Sequence, residues 1–226
     1  MEERDMIGNW KAVLFDLDGT LIDSEWFYYK AWRKALEHYG FALGSDMWLH
    51  ELAGKTDSQA LEYLHSNYGF TVDKAAFNDR TRAIIAELHE VETVSLMPGA
   101  TDLINFLHQR ELIMAVVTSS KREVANYHLE RNDLRHFFST VVSRTDVHQP
   151  KPNPEPYLRC VAQLGLEHED CLVMEDSVTG ATAAKAAGLT CFGVQTHLSI
   201  RQELPTDRSF DNLHEVREFL ESLIAD

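Results

Sequence analysis

Cysteine, basic residues and long apolar runs are all scarce in this sequence. The three cysteines, Cys160, Cys171 and Cys191, are odd in number, show no Cys-x-x-Cys spacing and each lie in an apolar stretch. That argues against a disulfide framework and for buried free thiols in a reducing compartment. Lysine and arginine number 21 against 36 acidic residues, a formal net charge of -15. Such a surplus repels polyanions, so no nucleic-acid or membrane partner is expected, and any anionic ligand must meet a local cationic site. No apolar run approaches the roughly 20 residues that span a bilayer, and Met1 to Asn9 is too polar and acidic for a secretory signal. The expectation is a cytoplasmic, monomeric protein whose 44% hydrophobic content supports one core plus a small second unit.

What the chain does have is a change of rhythm. Ala12-Val13-Leu14-Phe15 is a short apolar run that stops at Asp16, the pattern of a strand buried on both faces. After Ser24, an N-cap candidate, Phe27, Ala31, Ala35 and Tyr39 recur every four residues up to Gly40, which predicts an amphipathic helix. Further helices are expected over Ser58 to Tyr68, stopped by Gly69, and over Asp73 to Val91. Beyond Met97-Pro98-Gly99 strands and helices alternate. Ile113 to Val117, Thr140 to Val142, Cys171 to Met174 and Thr190 to Val194 read as strands, separated by helical stretches such as Val178 to Ala187. Repeated strand-helix units predict an α/β fold with a Rossmann-like, mostly parallel sheet, helices on both faces and a ligand crevice at the carboxyl ends of the strands. The division expected is a core of residues 1–24 and 95–226 with an inserted α-helical unit, residues 25–94.

The polar residues at those strand ends carry the candidate chemistry. Asp16 and Asp18 are two apart, so an extended backbone would point both to one side. One could attack phosphorus as a nucleophile while the other exchanges the leaving-group proton. Gly19 would permit a sharp turn and close approach to substrate, and Thr20 brings a hydroxyl. Asp18-Gly19 is also a hairpin signal, so a turn joining Val13-Leu14-Phe15 to Leu21-Ile22 is a competing explanation. A calcium loop is not, because Gly19 is the fourth residue where the sixth is needed.

Glu175-Asp176 ends a second strand, with an N-cap by Asp176 or Ser177 as the alternative reading. Carboxylates gathered around a phosphate repel by about 4 kcal/mol per pair at roughly 4 Å and an effective dielectric of about 20, so a cation is required. Oxygen-only ligands favour Mg2+, with Asp16 and Asp176 as direct ligands and Glu175 acting through water. Thr118-Ser119-Ser120, at the start of a helix, offer hydroxyls and free N–H groups as a phosphate seat, or alternatively a helix cap. Lys151, held between Pro150 and Pro152, would supply the positive charge. The loop Leu52 to Asp57 is the expected place of substrate choice, where Lys55 either binds a second anionic group or is merely solvated.

Asp16-Leu17-Asp18-Gly19-Thr20, Thr118, Lys151 and Glu175-Asp176, in this order and at these strand ends, resemble the motifs of the haloacid dehalogenase-like hydrolase superfamily over nearly the whole chain. Asp18-Gly19-Thr20-Leu21-Ile22-Asp23-Ser24-Glu25 and Glu175-Asp176-Ser177-Val178-x-Gly180 are similar to its β-phosphoglucomutase and sugar-phosphate phosphatase branch. The resemblance implies an aspartyl-phosphate on Asp16, acid/base work by Asp18, and Mg2+ held by Asp16, the Asp18 carbonyl and Asp176. It also implies phosphoryl binding by Thr118 and Lys151 and a mobile helical cap that closes over the substrate. Where β-phosphoglucomutases carry a histidine and an arginine, this chain has Tyr28 and Asp57. The function expected is therefore hydrolysis of a small phosphorylated metabolite, a sugar phosphate foremost. A phosphosugar mutase is the runner-up, and a non-catalytic phosphometabolite-binding regulator is the alternative of another class.

Overall fold

The computed structural model describes residues 10–195 and 203–224. Strands β1 (Ala12–Phe15), β2 (Ile113–Val117), β3 (Thr140–Val142), β4 (Cys171–Glu175), β5 (Thr190–Val194) and β6 (Arg208–Phe210) form one sheet in the order β3-β2-β1-β4-β5-β6. Every neighbouring pair is parallel. All four residues of β1 are buried, as a central strand covered on both faces requires. With β2 on one side and β4 on the other, β1 has no edge left for Leu21-Ile22, which rules out the hairpin. The turn signal was real but local: Gly19 has a φ of +86° and donates its N–H to the Ile22 carbonyl at 2.8 Å. The chain builds β1 to β3 outward on one side, then crosses back to place β4 to β6 on the other. The order therefore reverses between β1 and β4, and a crevice opens there at the carboxyl ends.

The described chain divides into two compact units, one reaching Asp23 and resuming at Ser95, the other Ser24–Val94. The second unit is helical: α1 (Ser24–His38), a single turn α2 (Ser45–Met47) running into a π-helical turn (Trp48–Leu52), α3 (Asp57–Tyr68) and α4 (Lys74–Val91). Thr56 caps α3 reciprocally with Gln59, so the helix begins one residue before the expected start, and Asp73 caps α4 by accepting from the Ala76 N–H at 2.8 Å. The α2 and π turns were not foreseen. Trp48 within them is buried against Trp32, which also packs edge-on to Phe77.

In the first unit, α5 (Ala100–Gln109), α6 (Arg122–Arg131), α7 (Glu155–Leu164), α8 (Val178–Ala186) and α9 (Leu213–Ile224) clothe the sheet. Alternation along β1 divides the core. Ala12 and Leu14 join Ala115, Val117 and Val173 against Tyr157 and Cys160 of α7 and Ala181 and Ala184 of α8. Val13, with Leu172, instead meets Phe106 and Leu107 of α5 and Leu220 of α9. Cys160, Cys171 and Cys191 are buried free thiols. No helix among the described residues is long and apolar enough to cross a membrane.

Candidate active site

The carboxyl ends of β1, β2 and β4 converge on one ammonium group. Asp16 leaves β1 with its N–H on the Met174 carbonyl at 3.0 Å, so it stays aligned with the end of β4. Lys151 Nζ donates to Asp16 Oδ1 at 2.6 Å, to Glu175 Oε1 at 2.5 Å and to the Val117 carbonyl at the end of β2 at 2.8 Å. An ammonium has three donors, and these acceptors use all of them. The loop that carries Lys151 is clamped from α7, whose Glu155 carboxylate accepts from the N–H groups of His148 and Gln149 at 2.8 and 2.7 Å. Pro150 and Pro152 thus restrict a loop that is also tied at its base.

Charge in this cluster does not balance. Asp16, Glu175 and Asp176 can place one carboxylate oxygen each within 4.8 Å of one another, so three acids face the single Lys151 ammonium. Burial pushes the Asp16 carboxyl up to about 8; Lys151 opposes the rise, and Glu175 and Asp18 add to it. Asp176 is driven well above the ordinary carboxylate range by burial and then by Asp16 and Glu175. Burial alone would lower the Lys151 ammonium, but Asp16 and Glu175 outweigh it and hold it above its usual value. An all-oxygen set with two members buried, Asp176 partly so, and surplus negative charge fits a hard divalent cation, whose charge would let Asp16 and Asp176 ionise together.

Glu175 is fully buried, and both of its oxygens are engaged. Oε1 accepts from Lys151 and, at 2.7 Å, from the Tyr157 hydroxyl, while Oε2 accepts from the Ser177 hydroxyl at 3.1 Å. Ser177 is also the N-cap of α8, accepting from the Gly180 N–H at 3.0 Å, which resolves the capping alternative in its favour over Asp176. Backbone crowding fixes the two remaining acids. A Cβ on Gly180 would stand 1.8 Å from Glu175 Oε1, and one on Gly19 would stand 2.1 Å from Asp176 Oδ2. Gly19 therefore makes its close approach to a carboxylate of the protein itself.

The other expected residues fall in different places. Thr118 is buried at the end of β2, with its N–H on the Val142 carbonyl at 2.9 Å. The N-cap of α6 is Lys121, so the Thr118-Ser119-Ser120 hydroxyls do not cap that helix. Ser119 is exposed, whereas Ser120 is partly buried and donates to Asp18 Oδ2 at 2.7 Å. Thr20, expected to offer its hydroxyl to substrate, is fully buried and directs it to Asp176 Oδ1 at 3.5 Å. Lys55 belongs to the helical unit, where its ammonium lies 5.6 Å from the centre of the Tyr63 ring. Sequence reasoning passed over Tyr157, whose ring also lies 5.0 Å from the Lys151 ammonium. Its place on the apolar face of α7 was a usable signal, because a buried tyrosine hydroxyl needs a polar partner.

Known proteins share this framework. The chain is 31% identical over 209 residues to the validoxylamine A 7'-phosphate phosphatase of Streptomyces hygroscopicus subsp. limoneus, covering 92% of this chain and 96% of that one. It is 31% identical over 190 residues to the fructose-1-phosphate phosphatase YqaB of Escherichia coli (strain K12), covering 84% and 99%. Among solved structures, a HAD family hydrolase from Deinococcus radiodurans R1 with bound phosphate and sodium superposes with a TM-score of 0.82 at 27% identity, over 95% of this chain and 96% of that one. The family model described as haloacid dehalogenase-like hydrolase matches residues 13–194, from the second residue of β1 to the last of β5, and the chain belongs to that family.

Proposed function

We propose that this chain is a Mg2+-dependent phosphatase that hydrolyses a small phosphorylated metabolite, a sugar phosphate foremost, through an aspartyl-phosphate on Asp16. The observation that carries the reading is the Asp16 carboxylate itself, held at a strand end by a lysine with no spare donor and crowded by Asp176. Asp16 and Asp176, with the Asp18 carbonyl, would hold the Mg2+, which supplies the positive charge that the acids and an incoming phosphate dianion both require. Glu175 keeps Lys151 in register, and Lys151 holds Asp16 in a single orientation.

In the first half-reaction Asp16 bonds to phosphorus as the ester oxygen leaves and takes a proton from Asp18. In the second, water bonds to phosphorus and gives a proton back to Asp18. The Asp16–phosphorus bond breaks, and inorganic phosphate departs. Thr118 binds the transferring group through its hydroxyl, while Lys151 acts on it as a fixed charge. The helical unit serves as the cap that selects substrate, with Lys55 a candidate for a second anionic group. The relatives named as validoxylamine A 7'-phosphate and fructose-1-phosphate phosphatases support a small phosphorylated metabolite, the second of them a sugar phosphate. Tyr28 and Asp57, in place of the mutase histidine and arginine, support water as the acceptor.

The deciding experiment measures phosphate release from sugar, polyol, nucleotide and glycolytic phosphates with and without Mg2+, alongside Asp16→Asn. Release that needs Mg2+ and vanishes in the variant is expected; wild-type activity in Asp16→Asn would sink the reading. β-Glucose 1-phosphate separates the alternatives, since a mutase yields glucose 6-phosphate and a phosphatase yields glucose and phosphate.

A further inference from the structure

Asp18 is held from the end of β2. The Ser120 hydroxyl donates to Asp18 Oδ2 at 2.7 Å, whereas the Thr118 hydroxyl stands 3.5 Å from the same oxygen, at the limit of a hydrogen bond. The Ser120 N–H donates in turn to Thr118 Oγ1 at 3.0 Å. Each hydroxyl has one proton to give. That of Ser120 is committed to Asp18 by the shorter contact, and that of Thr118, in the longer one, is the more readily drawn to a phosphoryl oxygen. Among the described residues no hydrogen bond falls on Asp18 Oδ1.

We propose that Ser120 is a positioning residue for the acid/base step: its hydroxyl clamps one oxygen of Asp18 so that the other exchanges protons with leaving group and water. The proposal rests on the acid/base role given to Asp18 above. As the Asp16–phosphorus bond forms and the ester bond breaks, the proton on Oδ1 passes to the departing oxygen. As water bonds to phosphorus and the Asp16–phosphorus bond breaks, the proton released by that water returns to Oδ1. Ser120 transfers no proton and donates to Oδ2 throughout. Without the clamp the carboxyl rotates, and the acid is presented for a smaller fraction of the time. The loss in kcat/KM, which reads only the steps up to departure of the leaving group, should then be confined to esters whose leaving group needs a proton, which a general weakening of the site would not produce.

The test compares kcat/KM for 4-nitrophenyl phosphate and phenyl phosphate with Mg2+ present. The two esters have nearly the same shape, but the nitrophenolate leaves without help and phenoxide does not. Ser120→Ala should lose about tenfold on phenyl phosphate, a small part of the roughly 10²–10⁴-fold that general acid/base catalysis contributes, and less than about twofold on the nitrophenyl ester. Because kcat/KM is blind to the water step that both esters share, it is the readout compared, and Ser120→Thr should restore the wild-type ratio. In an Asp18→Asn background Ser120→Ala should change nothing further, because the two groups act as a unit. If Ser120→Ala does not fold, Ser120→Cys takes its place, keeping the size with a weak donor. Equal losses on the two esters, no loss on either, or an added loss in the Asp18→Asn background overturns the proposal. An Asp16→Asn that still cleaves either ester overturns the phosphatase reading and the proposal with it.

Discussion

Gly180→Ala sets a local rule against a tertiary one. In the interior of an isolated helix the exchange would stabilise by up to about 1 kcal/mol. Here the added Cβ would lie 1.8 Å from Glu175 Oε1 and 2.0 Å from its Cδ, so the fully buried carboxylate must move. Moving it strains hydrogen bonds from Lys151 at 2.5 Å, Tyr157 at 2.7 Å and Ser177 at 3.1 Å. A hydrogen bond to a charged group contributes about 1.5–3 kcal/mol, and a buried charge that loses its partner costs about 3–5 kcal/mol. Net of the helix gain, a loss of about 3 kcal/mol is expected, a fall in Tm of roughly 6–12 °C for a chain of this size. Thermal unfolding followed by circular dichroism measures it. Phosphate release should fall in the same variant, because Glu175 holds Lys151 and Lys151 holds Asp16. Adding Glu175→Asp, which withdraws the carboxylate by one methylene, should make the double variant more stable than the two single losses together predict. A Gly180→Ala protein that melts at or above wild type would refute the crowding account.

Other expectations are tested more simply. Tyr157→Phe removes one hydroxyl from Glu175 and should destabilise by about 1–2 kcal/mol in a denaturant titration, leaving the fold intact. Mg2+ at about 100 times its dissociation constant should add about 2.7 kcal/mol of stability. That corresponds to a Tm rise of roughly 5–11 °C, which Asp176→Asn should largely abolish. A melting curve indifferent to Mg2+ would contradict the cation proposed to balance these acids. Burial tends to raise the Asp146 carboxyl, but Arg122 at 2.6 Å and the Ser143 hydroxyl and N–H outweigh it and hold it below its ordinary value. Its stabilising effect is therefore present above the unfolded value and lost as the pH falls through the folded one. Asp146→Asn should lower Tm at pH 7, and the gap to wild type should close as the pH drops below about 3.9.

Much of the candidate site could be read from the chain because its acids sit where apolar runs stop. Ala12 to Phe15 and Cys171 to Met174 are uninterrupted, so Asp16 and Glu175-Asp176 mark the strand ends by contrast alone. The relation between neighbouring serines is different. Ser119 and Ser120 are chemically identical, and only the direction of the loop after β2 sends one to solvent and the other to Asp18. Gly180 entered the sequence reading only as the end of a family motif, with no role of its own, because its crowding with Glu175 is visible only when β4 and α8 are folded together. α9 was legible but not read, since Leu213, Val216 and Leu220 recur at helical spacing, whereas β6 was missed for a similar reason. Arg208, Ser209 and Phe210 are an edge strand with no buried residue, too short and too exposed to leave a period-two pattern.

The chain leaves the sheet unit at Asp23 and resumes it at Ser95, and these two points are already joined. The Asp23 N–H donates to the Ser95 carbonyl at 2.8 Å, Ile22 bridges Leu96 in antiparallel fashion, and the Met97 N–H donates to the Leu21 carbonyl at 2.9 Å. Whatever is spliced between them begins and ends at one stapled doorway. Each doubling of such an insert adds only about 0.6 kcal/mol of closure entropy. The doorway makes the sheet unit a socket: a different helical module, or a short linker, could be grafted at Asp23 and Ser95 with β1 and its acids left undisturbed.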